Sequence, residues 1–336
     1  MEKLLPITND EWQLCNKYNR EILEEFLMNS PQLSDKTKKA YRSNLMIWFN
    51  WVRNNLKNKA QYEIKSIEYM RFQNWLISLG HSSSDIANKR AAVSTLNNYI
   101  VLYYSDDFPT FHNFIVKGMP KPEKSYVNEK NPPTKEEFFH IVDVMKKRND
   151  WQKVAYLLYT FDTGCRRAES LQLLKEVVNY NPIVKEKKIY NEDGTFETRT
   201  VRYYQSNLTR CKGRGKTGKV RKLVFTEDTM EAIKKWLEVR GDDDCPYVFV
   251  ATINGEVSQL SESTLNKWAS NIFSPILGRR FHPHIIRESR ATISVVEEGK
   301  TVEAVQKLLG HESSSTTEDH YIIRDDTEEA IEELFL

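Results

Sequence analysis

Between Tyr18 and about Phe114 the apolar residues recur at helical spacing. Tyr41, Leu45, Trp48, Phe49 and Val52 share one face, and Ser34 or Asp35 stands where a cap is needed just before them. Ile67, Met70, Phe72, Trp75 and Leu76 predict a second helix that ends at Gly80. A third runs from about Ser84 to Tyr104, where Lys89 and Arg90 interleave with Val93, Leu96 and Ile100. These segments predict a small helical bundle over 1–116. The periodicity then stops. From Lys117 to Pro133, residues Gly118, Pro120, Pro122, Pro132 and Pro133 sit among Lys, Glu, Asn and Ser, the pattern of an extended linker.

A helical pattern resumes at Thr134, where Thr-Lys-Glu-Glu is a good capping box. Trp151 to Phe161 is apolar almost throughout and should be central to a second core. Ile183 to Phe225 turns strand-like, with Asp193-Gly194 a tight-turn signal between Ile189-Tyr190 and Phe196. Gly213, Gly215 and Gly218 mark a second turn within Cys211 to Lys222. Helical patterns follow over Glu227 to Arg240, Ser261 to Leu277, His284 to Glu298 and Val302 to Leu309. The expected fold is α+β, mainly α with a small β-hairpin sheet. A second domain over 134–336 would close with a tail helix.

Composition narrows the class. The 336 residues are 40% hydrophobic and 29% charged, which excludes a disordered or fibrous chain. No run approaches the ~20 apolar residues needed to span a bilayer, and Met1 to Asp10 has no apolar leader core. The cysteines, Cys15, Cys165, Cys211 and Cys245, are far apart, so neither a disulfide framework nor a zinc knuckle is expected. A soluble cytosolic protein fits these features.

The net charge of +2 says little, but its distribution says more. Between Ser206 and Lys222 stand Arg210, Lys212, Arg214, Lys216, Lys219, Arg221 and Lys222 with no acid, whereas Asp325 to Leu336 is strongly acidic. Taken alone, the basic run reads as a solvated loop. Four short segments change that reading. They are Thr163-Gly164-Cys165-Arg166-Arg167-Ala168-Glu169, the basic turn, His284-Ile285-Ile286-Arg287, and Leu309-Gly310-His311 followed by Thr316, Thr317 and Tyr321. Each has an ordinary alternative: a helix corner at Gly164, an exposed face at His284, a helix stop at Gly310. Their combination and order do not.

The set resembles the tyrosine recombinase (phage integrase) family, whose catalytic domain carries Thr-Gly-x-Arg-x-x-Glu, a hairpin lysine, His-x-x-Arg, Leu-Gly-His and then Tyr. The likeness covers roughly Asn131 to Leu336, and 1–116 resembles the family's core-binding domain in layout. It implies DNA cleavage and rejoining through a 3′-phosphotyrosine, on recombination sites of double-stranded DNA, for a mobile element or phage. Tyr321 would be the nucleophile. Its phenol, with an ordinary pKa of about 10, leaves far more readily than an alkyl alcohol, so the link can be reversed without ATP.

Arg166 and Arg287 would clamp the phosphate by bidentate forks, with His284 and His311 donating to it or moving protons. The general acid would be Lys212, with Lys216 the alternative; Glu169 would orient the site. No metal or other cofactor is implied, and His282, His284, His311 and His320 lack the carboxylate or thiolate partners of a metal site. Arg167 and Arg290 should touch DNA or carboxylates. Arg210, Arg214, Lys216, Lys219, Lys89 and Arg90 should neutralise DNA phosphates. The resemblance also implies a tetramer on DNA, with the tail carrying Ala330, Ile331, Leu334 and Phe335 docked on a neighbour, and possible accessory DNA-bending or directionality factors. Glu288 stands where many relatives carry a second His, and the stretch from Glu169 to Lys212 leaves room for an additional hairpin. Competing readings are type IB topoisomerase-like relaxation, an architectural DNA-binding protein with a decayed site, and a helical protein-interaction module.

Overall fold

The computed structural model describes residues 4, 6–120, 122, 131–190, 195–211 and 219–310. They fall into two compact units that part between residues 129 and 130.

The first unit contains helices α1 (Asn9–Gln13), α2 (Lys17–Met28), α3 (Asp35–Asn55), α4 (Ser66–Ser78) and α5 (Ser83–Tyr103). Ser34 caps α3 and Ser82 caps α5, each accepting a backbone N–H from the first turn. The expected face of α3 is the buried one, since Leu45, Trp48, Phe49 and Val52 are wholly inaccessible. Trp48 stacks on Trp51 at 5.8 Å and meets Phe72 edge-on at 5.0 Å. Its indole N–H donates to Gln61 Oε1 (2.9 Å), and Gln61 Nε2 donates to Asn97 Oδ1 (2.6 Å), so this polar chain through the core is satisfied.

The stretch expected to be a linker from Lys117 starts as part of the bundle. Met119 is buried with the bundle core. Arg90 Nη1 and Gln73 Nε2 each donate to the Pro120 carbonyl at 3.0 Å. Backbone that leaves a helix must find partners somewhere, and Arg90 supplies several at once.

The second unit opens with α6 (Lys135–Lys147), α7 (Trp151–Thr163) and α8 (Arg167–Ser170). Thr134 makes the expected capping box with Glu137. Helix α7 is buried on nearly every side, which explains why it is apolar almost throughout. Strands β1 (Ile183–Tyr190), β2 (Phe196–Gln205) and β5 (Val224–Phe225) form one antiparallel sheet in the order β1-β2-β5. The β1–β2 register runs from Ile183 opposite Tyr203 to Tyr190 opposite Phe196, so it brackets Asp193-Gly194, which lies outside the described residues. Strands β3 (Thr209–Cys211) and β4 (Lys219–Arg221) pair at the base of the basic turn.

Helix α9 (Glu227–Arg240) follows, then a hairpin of β6 (Val250–Ile253) and β7 (Glu256–Gln259). The sequence reading has no strands there, although Asn254-Gly255 supplies the left-handed pair that a tight hairpin turn requires, with φ of 53° and 84°. Helices α10 (Glu262–Trp268) and α11 (Ser274–Leu277) are joined by a π-helical turn, Ala269–Phe273. A second such turn, Ile293–Glu297, ends α12 (Ile285–Thr292), and α13 (Val302–Leu309) closes the described chain.

Candidate active site

The loop after α7 is shaped by Thr163 and Gly164. The Thr163 hydroxyl donates to the Tyr159 carbonyl (2.7 Å), while Gly164 ends the helix in the left-handed region at φ 54°. Two residues later Arg166 stands at the N-cap of α8. The Arg166 N–H donates to Glu169 Oε2 (3.0 Å) and Arg166 Nη1 donates to Oε1 (2.9 Å). Glu169 is buried, yet its carboxyl is held below its ordinary range: the backbone and side chain of Arg166 and the charge of Arg221 outweigh the penalty of burial.

Arg287 projects from α12 and is only 2% exposed. Its Nη1 donates to the Gly164 carbonyl and its Nη2 to the Leu309 carbonyl, each at 2.6 Å. Desolvation, reinforced by the charges of Arg166 and Arg221, pushes its pKa down to about 10. It therefore stays cationic at neutral pH. His284 sits at the N-cap position of α12 with its pKa lowered chiefly by desolvation; Glu288 opposes the shift, and Arg287, His282 and Arg166 add to it. Among these described groups, three guanidiniums stand against two carboxylates, Glu169 and Glu288, an excess of positive charge that an anion would offset.

The third guanidinium, Arg221, was not singled out from the sequence beyond its place in the basic run. It leaves β4 toward the end of α13, where Nη1 donates to the Leu308 carbonyl (2.7 Å). Gln172, just after α8, pairs with the backbone of Arg210 in both directions at 2.9 Å, fastening β3 to the same corner. The signal for such contacts is three-dimensional, since residues 172 and 210 are distant in sequence.

Arg166, Glu169, Arg287 and His284 are thus gathered in one place, each bearing electrostatically on another. His311, Tyr321, Lys212, Lys216 and Arg214 lie outside the described residues. Arg210 and Lys219 are exposed on the basic hairpin. Arg167 binds carboxylate and amide rather than open solvent, with Nε 2.9 Å from Glu262 Oε2 and Nη1 2.6 Å from Asn266 Oδ1. Arg290 likewise meets Glu298 Oε1 at 3.0 Å.

Two expected DNA contacts are placed differently. Lys89 is 4% exposed, its ammonium 2.7 Å from both oxygens of Asp85. Arg90 is occupied by the carbonyls of Val116, Met119 and Pro120. A cation buried in a helical bundle must be paired, and Asp85 one turn earlier is the nearest carboxylate. Exposed or half-buried cations stand elsewhere: Lys36, Lys38, Lys39 and Arg42 line a cavity on α3, and Lys187, Lys188, Arg199 and Lys300 line another of about 360 Å³.

A family model described as "Phage integrase family" matches residues 134–328. The chain belongs to that family. Over 331 residues it is 33% identical to the SPbeta prophage-derived recombinase-like protein YomM of Bacillus subtilis (strain 168), covering 97% of this chain and 94% of that one. It is 24% identical over 287 residues to tyrosine recombinase XerC of Staphylococcus epidermidis, 84% of this chain and 85% of the relative.

The structure of the Tn1549 transposon integrase in complex with transposon right end DNA superposes with a TM-score of 0.62 at 14% identity, over 87% of this chain and 91% of that one. XerH bound to its difH substrate gives 0.61 at 17%, over 93% and 92%. At these identities the structural likeness is one of fold. This phage integrase family member is a site-specific tyrosine recombinase.

Proposed function

We propose that this recombinase cleaves DNA by attack of Tyr321 Oη on a backbone phosphate, forming a 3′-phosphotyrosine and releasing the 5′-oxygen. The Oη–P bond forms as the P–O5′ bond breaks. The phenol proton passes to a base, for which His284 and His311 are candidates, and the 5′-oxygen takes a proton from Lys212 or, failing that, Lys216. The reverse step restores the backbone with the other strand's 5′-hydroxyl, so no ATP is consumed. The observation that carries this reading is the arginine cluster around Glu169, in which half-buried Arg166 is fixed on the buried carboxylate and buried Arg287 on the carbonyls of Gly164 and Leu309. Such donors need no reorganisation when a phosphate acquires charge in the transition state.

Double-stranded DNA is the partner this chemistry requires. Its phosphates would meet Arg210 and Lys219 on the hairpin, with the cations of α3 in place of Lys89 and Arg90. Lambda integrase, whose fold is similar, is seen as a tetramer bound to a Holliday junction, and we extend a tetrameric assembly on DNA to this chain, with the apolar positions of the acidic tail docking on a neighbour. Deleting residues after Arg324 should then abolish cooperative assembly on DNA while leaving single-site binding in place.

The test of the chemistry uses a nicked suicide duplex carrying a cognate site selected by binding. Wild-type protein should form a covalent protein–DNA adduct and Tyr321→Phe should form none. An adduct that survives the substitution overturns the assignment of the nucleophile, and relaxation of supercoiled DNA by monomers would favour the topoisomerase-like reading.

A further inference from the structure

We infer that Arg221 is a positioning residue of the recombination site, holding the Leu309–Gly310 end of α13 and the base of the β3–β4 hairpin in register with the Arg166–Arg287 pair. This rests on the reading of the site given above and adds a residue to it. One guanidinium makes every connection. Arg221 Nε donates to Cys211 Sγ (3.2 Å), Nη1 to the Leu308 carbonyl (2.7 Å), and Nη2 to the Leu309 carbonyl (3.3 Å). The same Nη2 lies 3.5 Å from Glu169 Oε2.

These contacts close a circuit. Glu169 holds the Arg166 side chain through Oε1, while Oε2 accepts the Arg166 N–H and meets Arg221. The Leu309 carbonyl accepts from both Arg221 and Arg287, and Arg287 returns to the Gly164 carbonyl two residues before Arg166. Arg221 thus joins α8, the β3–β4 hairpin and the end of α13 directly, and reaches α12 by way of the shared Leu309 carbonyl.

The chemistry of the contacts explains why arginine stands here. The last carbonyls of a helix have no partner within it, and a cation there also complements the helix dipole. A planar fork can satisfy two carbonyls and a carboxylate together, whereas a lysine ammonium cannot span them. Gly310 fits the same account. A Cβ at that position would come 2.7 Å from Arg221 Nη1, so glycine lets the guanidinium cover the helix end. The two elements that Arg221 joins lead directly into Lys212 on one side and His311 on the other. Arg221 therefore acts on the reaction through its neighbours.

The experiment compares wild type, Arg221→Gln and Arg221→Lys on the suicide duplex, with Tyr321→Phe as the chemical blank. Affinity for the cognate duplex should change by no more than about 3-fold, because many phosphate contacts share it. Single-turnover cleavage should fall by about 10- to 100-fold, the scale of a misplaced catalytic group. Arg221→Lys keeps the charge and should fold even if Arg221→Gln does not, yet it should remain slow because it cannot make the fork.

Amide hydrogen exchange of the DNA-free protein gives a readout independent of catalysis. Exchange over 305–310 and 164–166 should quicken in both variants. Wild-type cleavage rates in Arg221→Lys, a rate loss no larger than the loss of binding, or unchanged exchange at these segments would each overturn the proposal. Failure of the wild type to form an adduct would instead sink the Tyr321 reading, and the exchange data would still judge Arg221.

Discussion

Leu309 packs directly against Gly164: a Cβ added at residue 164 would come 2.3 Å from Leu309 Cδ2. Two motifs separated by more than half of the second unit's length thus touch at atomic contact. Gly164 is also left-handed at φ 54°, so Gly164→Ala meets strain from the backbone and a clash from the side. We expect a loss of about 2 kcal/mol or more, roughly 4–8 °C in melting temperature for a unit of this size, together with slowed cleavage. Gly118→Ala is the control, since nothing lies within 4 Å of a Cβ there. Equal melting temperatures for the two variants would show that the Leu309 contact yields at no cost.

Glu169 supplies a second prediction. It is buried and offsets the charges of Arg166 and Arg221, so Glu169→Gln leaves them uncompensated and should cost about 2–4 kcal/mol at neutral pH. The sign with pH follows from its lowered pKa. The unfolded carboxyl titrates near about 4.3, so the wild-type advantage is complete above that value and fades as pH falls through the lower folded value. Urea denaturation of both proteins at pH 7 and in acid measures this. A difference that stays constant into acid would contradict the role of the carboxylate charge.

The third prediction separates buried from exposed cations. Lys89→Gln removes one of the two cationic or ring partners of Asp85, the other being His81, and should lower stability while leaving the salt dependence of DNA binding unchanged. Lys38→Gln and Lys39→Gln, on the cavity face of α3, should leave stability nearly unchanged and each reduce the slope of log affinity against log salt by up to about 0.9. Titrations at several salt concentrations decide it; a reduced slope for Lys89→Gln would mean that its burial is broken on DNA.

These contrasts show what was legible in the chain. Helix faces were readable because burial repeats with the helical period: the stripe Leu45, Trp48, Phe49 and Val52 became the core of α3, and Glu227 to Arg240 emerged with those bounds. The candidate site was readable because Arg166, Glu169, His284 and Arg287 sit in short motifs. Arg221 was not, since its importance lies in meeting carbonyls 87 and 88 residues away. Lys89 was misplaced for a related reason: interleaved cations on a helix look alike until packing decides which face is inside. The β6–β7 hairpin carried a legible Asn-Gly turn, but its strands are four residues each and mostly exposed, too short for a strong alternation.

The last prediction concerns His284. Its pKa is lowered in the DNA-free protein, chiefly by desolvation, with Arg287, His282 and Arg166 adding to the effect. Two consequences follow with opposite signs. In folding, the unfolded imidazole, titrating near about 6.5, binds protons before the folded one does. The contribution to stability is therefore complete above that pH and is lost as pH falls toward the folded value. In binding, a DNA phosphate brings negative charge to the same place and favours the protonated ring. Association near pH 6 should therefore take up a fraction of a proton, and calorimetry in two buffers of different ionisation enthalpy reads it directly. His284→Gln should remove that uptake and flatten the acid limb of stability, while binding at pH 8 stays within about 3-fold because the neutral ring adds no charge there. Proton uptake that persists undiminished in His284→Gln would assign the titration to another group and take His284 away from the phosphate.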